Sequence, residues 1–188
     1  MSRRLSKQLS LRAGELDEMR AEWFQFDADT TRRFSAAAAI ITTALPPLLR
    51  KIEASDETPQ DVSDKVHRHT LRLHEHVVAL RDLLADLDGI QLRMRQLQAL
   101  WHEDVSQADL PVQELATPST ERAAPCEQVR LLDDVVVRHD EELARRRELV
   151  SNLHASCDPD ETQRRLSQWV DESRIDLPLV DALIKQAK

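Results

Sequence analysis

Apolar residues in this chain recur at steps of three and four, not two, and they do so over long runs. In the first segment Leu16, Met19, Trp23, Phe26 and Thr30 follow 3-4-3-4 spacing, which puts them on one face of a helix. Phe34 to Leu45 is nearly all apolar or small. Its alanines 36 to 39 let a neighbouring backbone approach closely, so this stretch is expected to lie buried among helices. Pro46 and Pro47 cannot donate backbone hydrogen bonds, so a break is expected near Leu45, with a further turn or two through Ile52. The spacing therefore predicts a helix over about 15–52, interrupted near its end.

A polar linker with Pro59 follows at about 55–61, and Asp61 or Ser63 could cap what comes next. The second segment, about 62–105, carries two registers. Leu73, Val77, Leu80, Leu84 and Leu87 step by 4-3-4-3, and Leu83, Leu87, Ile90, Met94, Leu97 and Trp101 step by 4-3-4-3-4. These are heptad seams of a coiled coil or a long bundle helix. One stripe is expected to pack internally and the other to face a partner. Gly89 weakens such a helix by roughly 1 kcal/mol relative to Ala, and close packing or a slight bend would explain it.

A Pro- and Ser/Thr-bearing linker spans about 106–125. The third segment, about 126–155, repeats the seam at Val129, Leu132, Val136, His139, Leu143, Arg146, Val150 and Leu153. His139 and Arg146 are polar residues on an apolar stripe; such positions lower stability but can select register and partner. Next comes Asp158-Pro159-Asp160-Glu161. Asp158 is the expected N-cap, Pro159 takes the first helical position, and Glu161 can reach back to complete a capping box. The helix it starts, about 159–171, presents Leu166, Trp169 and Val170. A last element at about 177–187 offers Leu179, Val180, Leu183 and Ile184. The expected fold is all-α, an elongated antiparallel bundle or coiled coil of three long helices plus two short C-terminal ones. Residues 15–188 are expected to form one domain behind a flexible basic tail at 1–14.

Composition supports the helical reading. Only two glycines and no tyrosine occur, and aromatics make up 3% of residues, whereas sheets favour aromatic and β-branched residues with turn glycines. Charged residues reach 32%, so much of each helix must face water. A net charge of −8 argues against direct nucleic-acid binding, which needs a basic face. The longest charge-free run, Phe34 to Leu49, falls short of the roughly 20 residues a bilayer demands, so no membrane span is expected. The opening "MSRRLSKQLSLR" is basic, Ser-rich and free of acid. A frayed tail, a nuclear-targeting patch and a mitochondrial presequence are its three readings. Cys126 and Cys157 lie far apart without a CxxC, which fits two free thiols.

The candidate chemistry is sparse. His67, His69, His74 and His76 pair at seven-residue spacing, whereas metal-binding helices use three or four, and solvated flank positions are the default. With glycine only at 14 and 89, the common phosphate-binding loops cannot form. No catalytic, cofactor or metal residue is assigned. Thr58-Pro59 and Thr117-Pro118 make Thr58 and Thr117 candidate phosphosites in the linkers. Trp23 and Trp101 continue seams and read as core. For Trp169, packing against the bundle and contact with a partner both stay open, since tryptophan is enriched at interface hot spots.

Three blocks resemble the family of the cyclin-dependent kinase 2 interacting protein. "AEWFQFDADTTRRFSAAAAI" is similar to the family's first helix, "LRDLLADLDGIQLRMRQLQAL" to its central helix, and "LVSNLHASCDPDETQRRLSQWV" to a helix end, an Asp-Pro-Asp start and Leu-x-x-Trp. The second linker departs, because family members carry aromatics there and this chain has none. The resemblance implies a non-catalytic adaptor. Its partners would be cyclin-dependent kinase 2, a second replication kinase, an ATR-pathway protein, two AAA+ ATPases and another small helical subunit. Its implied settings are origin firing, checkpoint signalling, replisome proteostasis and large-ribosomal-subunit maturation. Localisation would be nuclear, with cytoplasmic residence left open. The rival readings are a coiled-coil homodimer spacer and a metal-binding bundle enzyme. The residues expected at a partner interface are Leu83, Ile90, Met94, Leu97 and Trp101 of the second segment, His139 and Arg146 of the third, and Leu166, Trp169 and Val170 of the capped helix.

Overall fold

The structure is a computed structural model that describes residues 3–54, 59–108, 111, 113, 116, 118, 124–154, 156–171, 175 and 177–187. Among them every regular element is helical: α1 (Arg3–Ala39), a π-helical turn (Ile40–Ala44), α2 (Pro46–Glu53), α3 (Gln60–Ser106), α4 (Pro125–Ser151), α5 (Pro159–Asp171) and α6 (Leu177–Ala187). The candidate phosphosites Thr58 and Thr117 lie outside the described residues. The fold class is all-α, as the spacing predicts.

Element ends follow the expected chemistry. Pro46 and Pro47 leave the carbonyls of Thr42 and Thr43 without their α-helical donors, and the chain responds by widening. The Leu45 amide donates to the Ile40 carbonyl at 2.9 Å, a five-residue bond, and Thr42 Oγ1 donates to the Ala38 carbonyl at 3.0 Å. Leu45 keeps helical angles (φ −76°, ψ −44°), so α2 leaves the turn as a re-registered helix. At α5, Asp158 Oδ1 accepts from the Asp160 amide at 3.3 Å, which satisfies one orphan donor. Glu161 does not close the expected box; it pairs forward with Arg164 and with Arg165 Nε at 2.8 Å.

The N-terminus corrects the sequence reading. α1 begins at Arg3, and Leu5, Leu9 and Ala13 are buried, so the stretch expected as a tail is the first part of a long helix. Its apolar residues step by four and face inward, while its basic residues alternate with them. For Gly89, one of the two expected explanations falls. A Cβ there would meet nothing within 4 Å, so close packing does not explain the glycine.

The chain packs as two compact units. Unit 1 comprises residues 1–25, 87–142 and 174–188; unit 2 comprises residues 26–86 and 143–173. Each of α1, α3 and α4 therefore contributes to both. Within unit 1, Gln8 and Arg12 meet Asp104 while Glu22 meets Arg93, so α1 and α3 run antiparallel. Its core joins Leu16, Met19 and Trp23 to Ile90, Met94 and Trp101, with Leu132 and Val136 from α4 and Leu183 from α6. Within unit 2, Phe34, Ile41 and Leu45 share a core with Leu73, Val77 and Leu80 of α3, Leu149 and Val150 of α4, and Trp169 of α5.

This division explains the double register of α3. The first register is buried in unit 2 up to Leu84, and the second is buried in unit 1 from Leu87 onward. The seam shifts where the helix passes from one unit to the other. The drift of a 3.6-residue helix against a seven-residue pattern makes such shifts natural.

Candidate functional site

The expected partner-facing residues lie mostly inside. Ile90, Met94, Leu97 and Trp101 are buried in unit 1, where α3 buries the same stripe that was expected to remain free. His139 and Arg146 are each 2% exposed, and Trp169 is 1% exposed. Leu83 and Leu166 are half-buried, and only Val170, at 56%, is open. These seams are covered by the chain's own helices, so a docking surface cannot be built on them.

The two polar seam residues of α4 are held differently. In unit 1, His139 meets Trp23 edge-on, with ring centroids 4.7 Å apart and planes at 83°. Its Nδ1 lies 2.8 Å from the Val135 carbonyl. A carbonyl only accepts, so the neutral ring carries its proton on Nδ1. Burial pushes the imidazole below its ordinary value near 6.5, against the raising pull of the Val135 carbonyl, Glu142 and Asp140.

In unit 2, Arg146 pairs with Asp27, donates to Thr30 Oγ1 at 3.1 Å, and sits over the Trp169 ring at 4.9 Å. That ring stacks on Phe34 at 4.3 Å and 15°, and its Nε1 donates to Thr31 Oγ1 at 3.0 Å. A stacked aromatic pair adds about 0.5–1.5 kcal/mol to area burial, and a desolvated cation over a ring adds a comparable amount. The capped helix at the chain's end thus brings a tryptophan to roof a buried arginine. The sequence signalled the cap and the tryptophan. Asp27 and Thr31, which complete the arrangement, carry no signal that separates them from other polar residues on a wet face.

Unit 2 also carries an open groove of about 410 Å³. Ala36, Ala39, Ile40, Thr43 and Ala44, from the end of α1 and the π-helical turn, form its floor. His69, Arg72 and His76 of α3 form its lip. Expected as solvated flanks, His69 and His76 are half-buried here, and His76 Nδ1 is buried without a hydrogen-bond partner; His67 and His74 are exposed. Ala36 to Ala39 were expected to be buried whole. Ala37 and Ala38 are, whereas Ala36 and Ala39 open into the groove. π-helical turns concentrate at functional positions, because the widened backbone displaces side chains from α-helical register. Elsewhere Leu11, Leu92 and Val137 of unit 1 stand more than half exposed as single residues.

Among the described residues, no group of three or more His, Cys, Asp or Glu side chains could hold a metal, and no helix is long and apolar enough to cross a membrane. Cys126 and Cys157 are free thiols. No protein-family model and no curated protein matches the chain.

Proposed function

We propose that this chain is a non-catalytic helical adaptor that docks another helical protein. One observation carries the reading: the apolar groove beside the π-helical turn is uncovered in a chain that otherwise buries its seams. The sequence resemblance to the cyclin-dependent kinase 2 interacting protein family supports it and narrows the setting. The proposed partners are a small helical subunit, AAA+ ATPases, cyclin-dependent kinase 2, a second replication kinase and an ATR-pathway protein. The proposed setting is nuclear, in origin firing, checkpoint signalling, replisome proteostasis and large-ribosomal-subunit maturation. A homodimer joined along the seams is disfavoured, because those residues are already covered.

The test is to co-express the chain with candidate helical subunits and weigh the products by light scattering. A stable one-to-one or higher assembly with such a subunit is expected. A well-folded monomer that captures none of them overturns the adaptor reading.

A further inference from the structure

The groove has a chemical character that the adaptor reading leaves undefined. Its floor is apolar and small, so an incoming backbone can approach closely and bury area without displacing large side chains. Its lip carries one arginine between two histidines, and none of the eight lining residues carries a carboxylate. This matters in a chain of net charge −8, where an unselected surface would present acid. Among the described residues, Arg72 has no ion-pair partner, whereas Lys65, two turns earlier on α3, pairs with Asp61. His76 adds a buried Nδ1 with no hydrogen-bond partner. The lip continues along α3. Ala79 and Leu83 follow His76 at helical spacing on the same flank, and both are half-buried. An apolar trough edged by one unpaired arginine and two hydrogen-bonding imidazoles, with no carboxylate, matches a helix whose apolar stripe is bordered by carboxylates.

We propose that this groove binds an amphipathic α-helix of a partner protein, with small or aliphatic side chains on its stripe and Asp or Glu on its border. This rests on the adaptor reading and names the partner chemistry for one face of it. Arg72 supplies the fixed charge at the border, and His76 the polar contact beside the stripe. A nucleic acid fits less well, because three basic side chains beside an apolar floor neutralise few phosphates. Ala39, exposed on the floor, is where a larger side chain fills the groove without entering the core.

The test uses the full chain and a synthetic amphipathic helix with a Leu stripe bordered by Glu, alongside the same peptide with Lys at those positions. Calorimetric titration is expected to give micromolar binding of the Glu-bordered probe, on the order of −8 kcal/mol. Binding of the Lys-bordered probe is expected to be at least tenfold weaker. Ala39→Trp is expected to weaken the Glu-bordered probe tenfold or more. Arg72→Glu is expected to reverse the preference between the two probes, and thermal melts of both variants check that they fold. Equal affinity for the two probes, no binding, or undiminished binding by Ala39→Trp overturns the proposal. So does an RNA oligonucleotide that binds in place of the peptide and is lost in the same variants. If a helical subunit co-purifies equally with wild type, Ala39→Trp and Arg72→Glu, the groove proposal falls while the adaptor reading stands.

Discussion

His139 and Arg146 sit one heptad apart on the same stripe of α4, yet the two units hold them by opposite means. Unit 1 keeps His139 neutral. It removes water, offers one backbone carbonyl, and sets the ring edge-on against Trp23. Unit 2 keeps Arg146 charged. It supplies a carboxylate from Asp27, a hydroxyl from Thr30 and the face of Trp169. Guanidinium cannot shed its proton, so the surroundings had to be built around the charge, whereas imidazole yields to its surroundings. A polar residue on a buried stripe is therefore no single kind of signal. Its consequence depends on whether the group can be neutralised.

The contrast is broken most severely through Trp169. Trp169→Ala removes the stack on Phe34 and uncovers Arg146, and a loss of about 3–5 kcal/mol is expected from denaturant titration. Arg146→Ala is expected to cost about 3 kcal/mol, at the low end for a buried pair because Asp27 retains some access to water. Acid should act through unit 1. The folded-state value of His139 lies below its unfolded value, so its contribution is fully present above about pH 6.5 and is lost as pH falls below that. His139→Gln is expected to flatten the acid limb of a stability–pH curve, and Arg146→Ala to leave that limb unchanged. Asp158→Ala, which removes the cap at the start of the helix that carries Trp169, is expected to cost about 1 kcal/mol. At the small end, Gly89→Ala is expected to raise stability by up to about 1 kcal/mol, since the site is open and helical.

Helix ends were legible because proline and capping residues act locally. Pro46–Pro47, Asp158-Pro159 and the polar linkers each mark a boundary that the structure keeps within a few residues. Buried stripes were legible for the same reason, since period alone picks out a face. The identity of whatever covers a face was not legible. Periodicity says that Ile90, Met94 and Trp101 want cover; it is silent on whether α1 and α4 or another molecule provides it. The shift at Leu84 to Leu87 looked like two stripes with two destinations, and it is one stripe per unit. Leu5 and Leu9 were hidden by the basic residues interleaved with them. The groove was least legible of all. It depends on a turn whose backbone departs from α-helical register, which moves Thr43 and Ala44 to places that a helical wheel does not assign.

That departure carries a consequence for chain length. Five residues, Ile40 to Ala44, complete a loop of backbone that four would close in an ordinary helix. The segment therefore stores one surplus residue as a phase offset. Removing a single residue there would let the backbone close as an ordinary α-helical turn with the residues on either side near their present faces, whereas removing one from an uninterrupted helix such as α3 would turn everything on one side by about 100° about the axis. The loss of one residue would thus be absorbed here, and what would vanish with it is the widened turn that shapes the groove.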